Sequence, residues 1–214
     1  MTVHLEGKPH YILTATCDSR MGTVARVSGF LASRTCYITD MQQFDDVITG
    51  RFFTRISFYG NPGSTPELAA LREQFQEVAK AEEMEWAIYD AEKKPRVLVM
   101  VSKFDHCLVD LLYRNRTGEL KMEITAVVSN HPDLRALVEG QGLRYVHIPV
   151  TADTKAAQED KLMELVQETH SELVVLARYM QVLSNEMCGK LAGKAINIHH
   201  SFLPSFKGAK PYYQ

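Results

Sequence analysis

"RVLVMVSKFDHCLVDLLYRNR", residues 96–116, decides the fold. Its opening run, Val97 to Val101, is apolar without alternation, so as a strand it must be covered on both faces. The residues that follow change period: Leu108, Leu111 and Leu112 recur at the spacing of an amphipathic helix. The same alternation continues to the end of the chain. Apolar strands at 123–130, 144–150, 172–179 and 194–202 are separated by helical patterns at 133–142, 155–170 and 185–193. Such a rhythm predicts a doubly wound, mainly parallel sheet with helices on both faces. In sheets of this kind ligands bind beyond the carboxyl ends of the strands. Polar clusters stand at those ends: "SKFDH" at 102–106, "SNHPD" at 129–133 and "NIHHS" at 197–201.

Upstream the order is different. Strands at 10–17, 36–44, 51–59 and 85–90 and helices at 22–34 and 65–83 give βαββαβ, the ferredoxin-like arrangement of an antiparallel sheet with two helices on one face. Thr65, Pro66 and Glu67 read as the cap and first turn of the second helix. The charged, proline-containing "YDAEKKPR" at 89–96 separates the two patterns, so we expect two domains, 1–92 and 95–214. A length of 214 residues suits two such units, each large enough for its own core.

Composition narrows the function. A formal net charge of −2 offers no field for a nucleic-acid backbone, and no segment approaches the roughly 20 apolar residues of a bilayer span, so neither nucleic acid nor membrane is an expected partner. The start lacks the basic and apolar regions of a leader, and a cytoplasmic location is expected. The four cysteines (Cys17, Cys36, Cys107, Cys188) are widely spaced, with no CxxC pair, which predicts reduced packing residues and no metal site.

Asn197 and His199 are the sharpest chemical pair. Two residues apart on an extended strand end, they face the same side. An imidazole passes protons near neutral pH and a carboxamide donates to an oxyanion, a combination suited to attack on a carbonyl. The alternative is structural: Asn197 finishing the strand and His199 and His200 as plain loop residues.

Three stretches, "SKFDHCLVDLLYR" (102–114), "LARYMQVLS" (176–184) and "INIHHSFLPSFKGAKPY" (196–212), resemble the formyltetrahydrofolate deformylases, members of the folate-dependent formyltransferase superfamily. The N-terminal unit resembles the ACT-type regulatory domain of those enzymes, through "GTVARVSGFL" and through "QQFDD" followed by "GRFFTRISF". The resemblance implies a Rossmann-like formyltransferase domain that hydrolyses 10-formyltetrahydrofolate to tetrahydrofolate and formate, with no cofactor and no metal. It implies catalytic roles for Asn197 and His199, and pterin contacts for Met180, Gln181, Val182 and Leu183. His200 is the residue of deformylase type beside the motif, and His106 and His200 are expected to border the cleft. The family's third catalytic member, an aspartate, comes a few dozen residues after the motif. These 214 residues do not reach it, so the chain reads as an incomplete catalytic domain that does not turn over by itself.

Formyltransferases acting on nucleotide amines follow their first strand with a glycine-containing phosphate loop. "SKFDHC" has no glycine and carries Asp105, which favours water as the acceptor. Two other readings remain open: a transferase with an amine acceptor, and a non-catalytic module that senses a small molecule or drives oligomerisation. The N-terminal unit departs from its pattern, with Asp18 and Ser19 where the family has proline and aspartate, and Tyr37 where it has asparagine. An amino-acid effector is the ligand that the domain type implies, and these departures count against it. A homo-oligomer is expected.

Overall fold

The computed structural model describes residues 5–151 and 153–197. The chain divides into two compact units, Met1–Lys93 and Lys94–Gln214.

Unit 1 runs β1 (His10–Asp18), α1 (Thr23–Ser33), β2 (Tyr37–Asp46), β3 (Arg51–Tyr59), α2 (Leu68–Ala81), β4 (Glu85–Asp90). Its sheet is antiparallel throughout in the order β2-β3-β1-β4, the ferredoxin-like arrangement. Period-two alternation sends Leu13, Cys17, Ile56, Phe58 and Ile88 into one core with Val27, Leu31, Leu71 and Phe75 of the helices. The helices are also locked by a buried carboxylate. Glu82, with 5% of its side chain exposed, meets Arg26 Nε at 2.5 Å and accepts from the Thr23 hydroxyl at 3.2 Å. The other face of the sheet is open, and Thr14, Gln42, Phe44, Phe53, Arg55 and Tyr89 line a shallow depression on it.

The start of α2 differs from the expected one. Thr65 does not cap it: its hydroxyl donates to the Arg34 carbonyl (2.9 Å) and accepts from the Asn61 amide (2.7 Å), tying the loop to the end of α1. The helix begins at Leu68, with Glu67 at the N-cap position and no side-chain cap bond.

Unit 2 runs β5 (Arg96–Val101), α3 (His106–Thr117), β6 (Glu123–Ser129), α4 (Arg135–Glu139), β7 (Tyr145–His147), α5 (Lys155–Glu168), β8 (Leu173–Leu176), α6 (Asn185–Lys190), β9 (Ala195–Asn197). All pairings are parallel and the order is β7-β6-β5-β8-β9. Alternate residues of the unbroken strand 97–101 serve two cores. Val97, Val99 and Val101 pack with Leu108 of α3 and Val138 of α4, whereas Leu98 and Met100 pack with Leu162 and Leu165 of α5 and Met187 of α6.

Several later elements are shorter than the apolar runs suggested. Gly142 at φ 74° and Gly193 at φ 71° turn the chain after α4 and α6. Pro149 has no N–H to extend β7. The strand expected over 172–179 ends at Leu176, because Arg178 adopts φ 61° and turns the chain.

Candidate active site

The strand order of unit 2 reverses direction at β5: the chain first builds outward to β6 and β7, then returns to add β8 and β9 on the other side. The crevice of such a sheet opens at the carboxyl ends of the two strands flanking this reversal, β5 and β8. Two of the polar or family-like stretches singled out from the sequence, 102–106 and 176–184, stand at those two ends.

A buried polar network joins the strand ends. Ser102, 3% exposed, donates from Oγ to Asn130 Oδ1 at 2.7 Å and accepts from the Met180 amide at 2.9 Å. One hydroxyl therefore ties together the ends of β5, β6 and β8. Ser129 supports the same corner, with Oγ 3.4 Å from the Ser102 carbonyl and accepting from the His131 amide at 3.1 Å. The Tyr145 hydroxyl closes it by donating to the His131 carbonyl. Buried hydroxyls and amides are costly unless paired, so this network holds the crevice floor in one geometry. Ser102, Asn130 and Ser129 were visible in the sequence only as part of strand-end clusters, without a role.

The stretch 180–183 leaves the crevice on a fixed turn. Gln181, Val182 and Leu183 line a mostly apolar pocket with Met100, Val128 and Ile148 from the sheet and its ends and Leu162 and Glu159 from α5. Met180 is half exposed and lies outside that lining, whereas Val182 is 83% exposed. Glu159 is drawn to the far end of the turn, where it accepts from the Ser184 amide at 2.8 Å and from the Ser184 hydroxyl. Tyr179, on the same wall, has its phenol pushed up to about 12, first by burial and then by the negative charge of Glu159.

Asn197 ends β9 as the register partner of Leu176 on β8, and it is exposed. Past the end of β8, Arg178 stands two residues beyond Leu176. His199 and His200 lie outside the described residues, so Asn197 is the described member of its motif. His106 is the first residue of α3 and is exposed; its Nε2 lies 3.3 Å from Arg178 Nη1. The structure thus brings His106 against Arg178, a residue the sequence reading did not single out. The preceding turn, 102–105, contains no glycine, and Asp105 at the N-cap makes no side-chain cap bond.

With this geometry in place, the comparisons are direct. The pattern of the formyl transferase family matches residues 95–214, all of unit 2 but its first residue. A formyltetrahydrofolate deformylase from Corynebacterium sp. is 51% identical over 205 residues, covering 95% of this chain and 71% of that protein. The chain belongs to the formyltetrahydrofolate deformylase family. A deformylase from Mycobacterium bovis is 41% identical over 94% of this chain and 64% of its own length. The crystal structure of the Burkholderia mallei deformylase superposes with a TM-score of 0.83 at 50% identity, over 95% of this chain and 72% of that one. Both units take part in these similarities, since 95% of the chain exceeds either alone. The chain spans roughly two thirds to seven tenths of the length of the relatives named here.

Proposed function

We propose that the protein hydrolyses 10-formyltetrahydrofolate to tetrahydrofolate and formate, with water as the acceptor. The observation that carries this reading is a crevice at the β5/β8 reversal, in a chain 51% identical to a deformylase, whose β5 turn has no glycine to admit a phosphate. Water oxygen adds to the formyl carbon, the bond from that carbon to N10 breaks, N10 takes a proton, and formate leaves. Asn197 donates its amide to the oxyanion of the tetrahedral intermediate, and His199 carries the proton. Met180, Gln181, Val182 and Leu183, on the turn that follows β8, contact the pterin ring. His200 and His106 border the reacting end.

Unit 1 is the regulatory and assembly part in this reading. Asp18 and Ser19, the departures from the effector-loop pattern, are engaged within the unit: Asp18 pairs with Arg51 at 3.3 Å and the Ser19 hydroxyl donates to Asp45. Self-contacts of this kind compete with an amino-acid effector, and they favour assembly as the retained role. Phe44 (64% exposed), Phe53 (42%) and Tyr89 (53%) on the open sheet face supply apolar area for a second copy, making the protein a homo-oligomer. No helix among the described residues is long and apolar enough to cross a membrane, and the folate substrate fits a cytoplasmic protein.

The test uses this chain continued by the C-terminal segment of its Corynebacterium relative. Asn197→Ala and His199→Ala should each lower formate release by roughly 10²-fold, with much smaller effects on folate binding. Near-normal turnover in both variants would remove the proposed site.

A further inference from the structure

Four non-glycine residues among those described have positive φ: Thr35, Glu83, His170 and Arg178. The first three share one ordinary cause. Each follows a helix (α1, α2 and α5), and the residue after it closes the capping bond, as with Cys36 N to the Leu31 carbonyl at 3.0 Å and Ser171 N to the Val166 carbonyl at 2.9 Å. Arg178, at φ 61°, follows a strand. A left-handed conformation is unfavourable for a residue with a Cβ. Here it is enforced from both sides by β5, through Ala177 N to the Met100 carbonyl (2.8 Å) and Met180 N to Ser102 Oγ (2.9 Å). Strain held in place at a ligand crevice points to a side chain whose position matters.

That side chain is itself oriented. The guanidinium carbon stands 4.8 Å from the centroid of the Phe104 ring, and Nη1 donates to the lone pair of His106 Nε2 at 3.3 Å. Among the described residues no carboxylate pairs with Arg178. A guanidinium has five N–H donors, and among the described residues one of them is engaged, while the ring fixes the plane of the fork. Arg178 is exposed, and among the described residues its remaining donors meet no partner, in the geometry that meets a carboxylate at two points.

We propose that Arg178, held by Phe104 and His106, is a carboxylate-binding residue of this crevice, and that its ligand is the formate produced there. This rests on the hydrolysis proposed above. The formyl group of the substrate is a neutral amide. Water adds to its carbon, the bond to N10 breaks as N10 takes a proton, and the formic acid formed gives its own proton to solvent as HCOO⁻. Negative charge spread over two oxygens therefore appears only as the reaction proceeds, and a guanidinium beside it binds the late species better than the substrate. The folate's glutamate tail is the other source of the same chemistry, and the experiment separates the two.

The imidazole proton signals of His106, assigned by their loss in His106→Gln, are followed by NMR in the 214-residue protein. Sodium formate, N-(4-aminobenzoyl)glutamate and sodium chloride are titrated in turn at matched ionic strength. Formate should give a saturable shift that chloride does not. Arg178→Gln should weaken it at least roughly tenfold, the scale of a lost charge-assisted pair. Arg178→Gly should do the same while keeping or raising thermal stability, because glycine accepts φ 61° without strain, so loss of binding would not be unfolding. A formate response equal to that of chloride, or one surviving in Arg178→Gln, overturns the proposal. Saturation by the aminobenzoylglutamate with none by formate overturns it in favour of the glutamate tail. The readout is equilibrium binding without turnover, so its failure is distinct from failure of the hydrolysis reading.

Discussion

Replacing Ser102 by alanine should loosen the crevice without touching unit 1. The hydroxyl is buried and makes two hydrogen bonds, to Asn130 Oδ1 at 2.7 Å and from the Met180 amide at 2.9 Å. Each bond contributes about 1 kcal/mol net, so their loss costs about 2 kcal/mol, and more if Asn130, itself 8% exposed, is left dry and unpaired. Because the two bonds join β5, β6 and β8, the cost appears as local opening of the 177–183 turn. Amide exchange reads this directly. The Met180 amide should exchange about 30-fold faster, the factor corresponding to 2 kcal/mol. Trp86, the chain's single tryptophan, lies on β4 in unit 1, so the urea transition followed by its fluorescence should not move. Folate binding should weaken, since the turn carries the proposed pterin contacts. Met180 exchange within threefold of the parent protein would show that the Ser102 bridge does not hold the turn. An equal shift in the Trp86 transition would show that the effect is not local.

Two further outcomes are expected. Tyr179 has its pKa raised from 10.0 to about 12, so its folded state resists ionisation that the unfolded chain undergoes; its contribution to stability is full below pH 10.0 and falls as pH rises towards about 12. Tyr179→Phe should flatten this alkaline decline in unfolding experiments, and an identical decline in the variant would refute the assignment. Light scattering on the whole chain should give at least twice the protomer mass of 24.2 kDa, and Phe44→Glu with Phe53→Glu should reduce it to one protomer. A particle of protomer mass before substitution would refute assembly through the open sheet face.

How far the sequence reaches can be seen residue by residue. The unbroken run 97–101 specifies burial on both faces, and the structure uses its odd and even residues in two separate cores, as a parallel sheet requires. The alternating strands of unit 1 likewise dictate a one-faced antiparallel sheet. Thr65 misled because a capping residue is recognised by type, whereas its hydroxyl is committed to Arg34 and Asn61, contacts set by the tertiary fold. Ser102 and Asn130 meet across 28 positions of sequence, so only the register of β5 on β6 reveals the network. Arg178 lies inside the family-like stretch 176–184, but nothing in that stretch marks its side chain for a role. Its conformation is imposed by anchors on β5, and arginine in a strand-end pattern gives no hint of a positive φ.

The central claim is that water, and not an amine, receives the formyl group. The measurement is made in oxygen-18 water with the chain continued by the Corynebacterium C-terminal segment, supplied with 10-formyltetrahydrofolate and glycinamide ribonucleotide together. The account predicts formate carrying one oxygen from water, and an unmodified ribonucleotide. Formyl groups on the ribonucleotide, with no labelled formate, would contradict it.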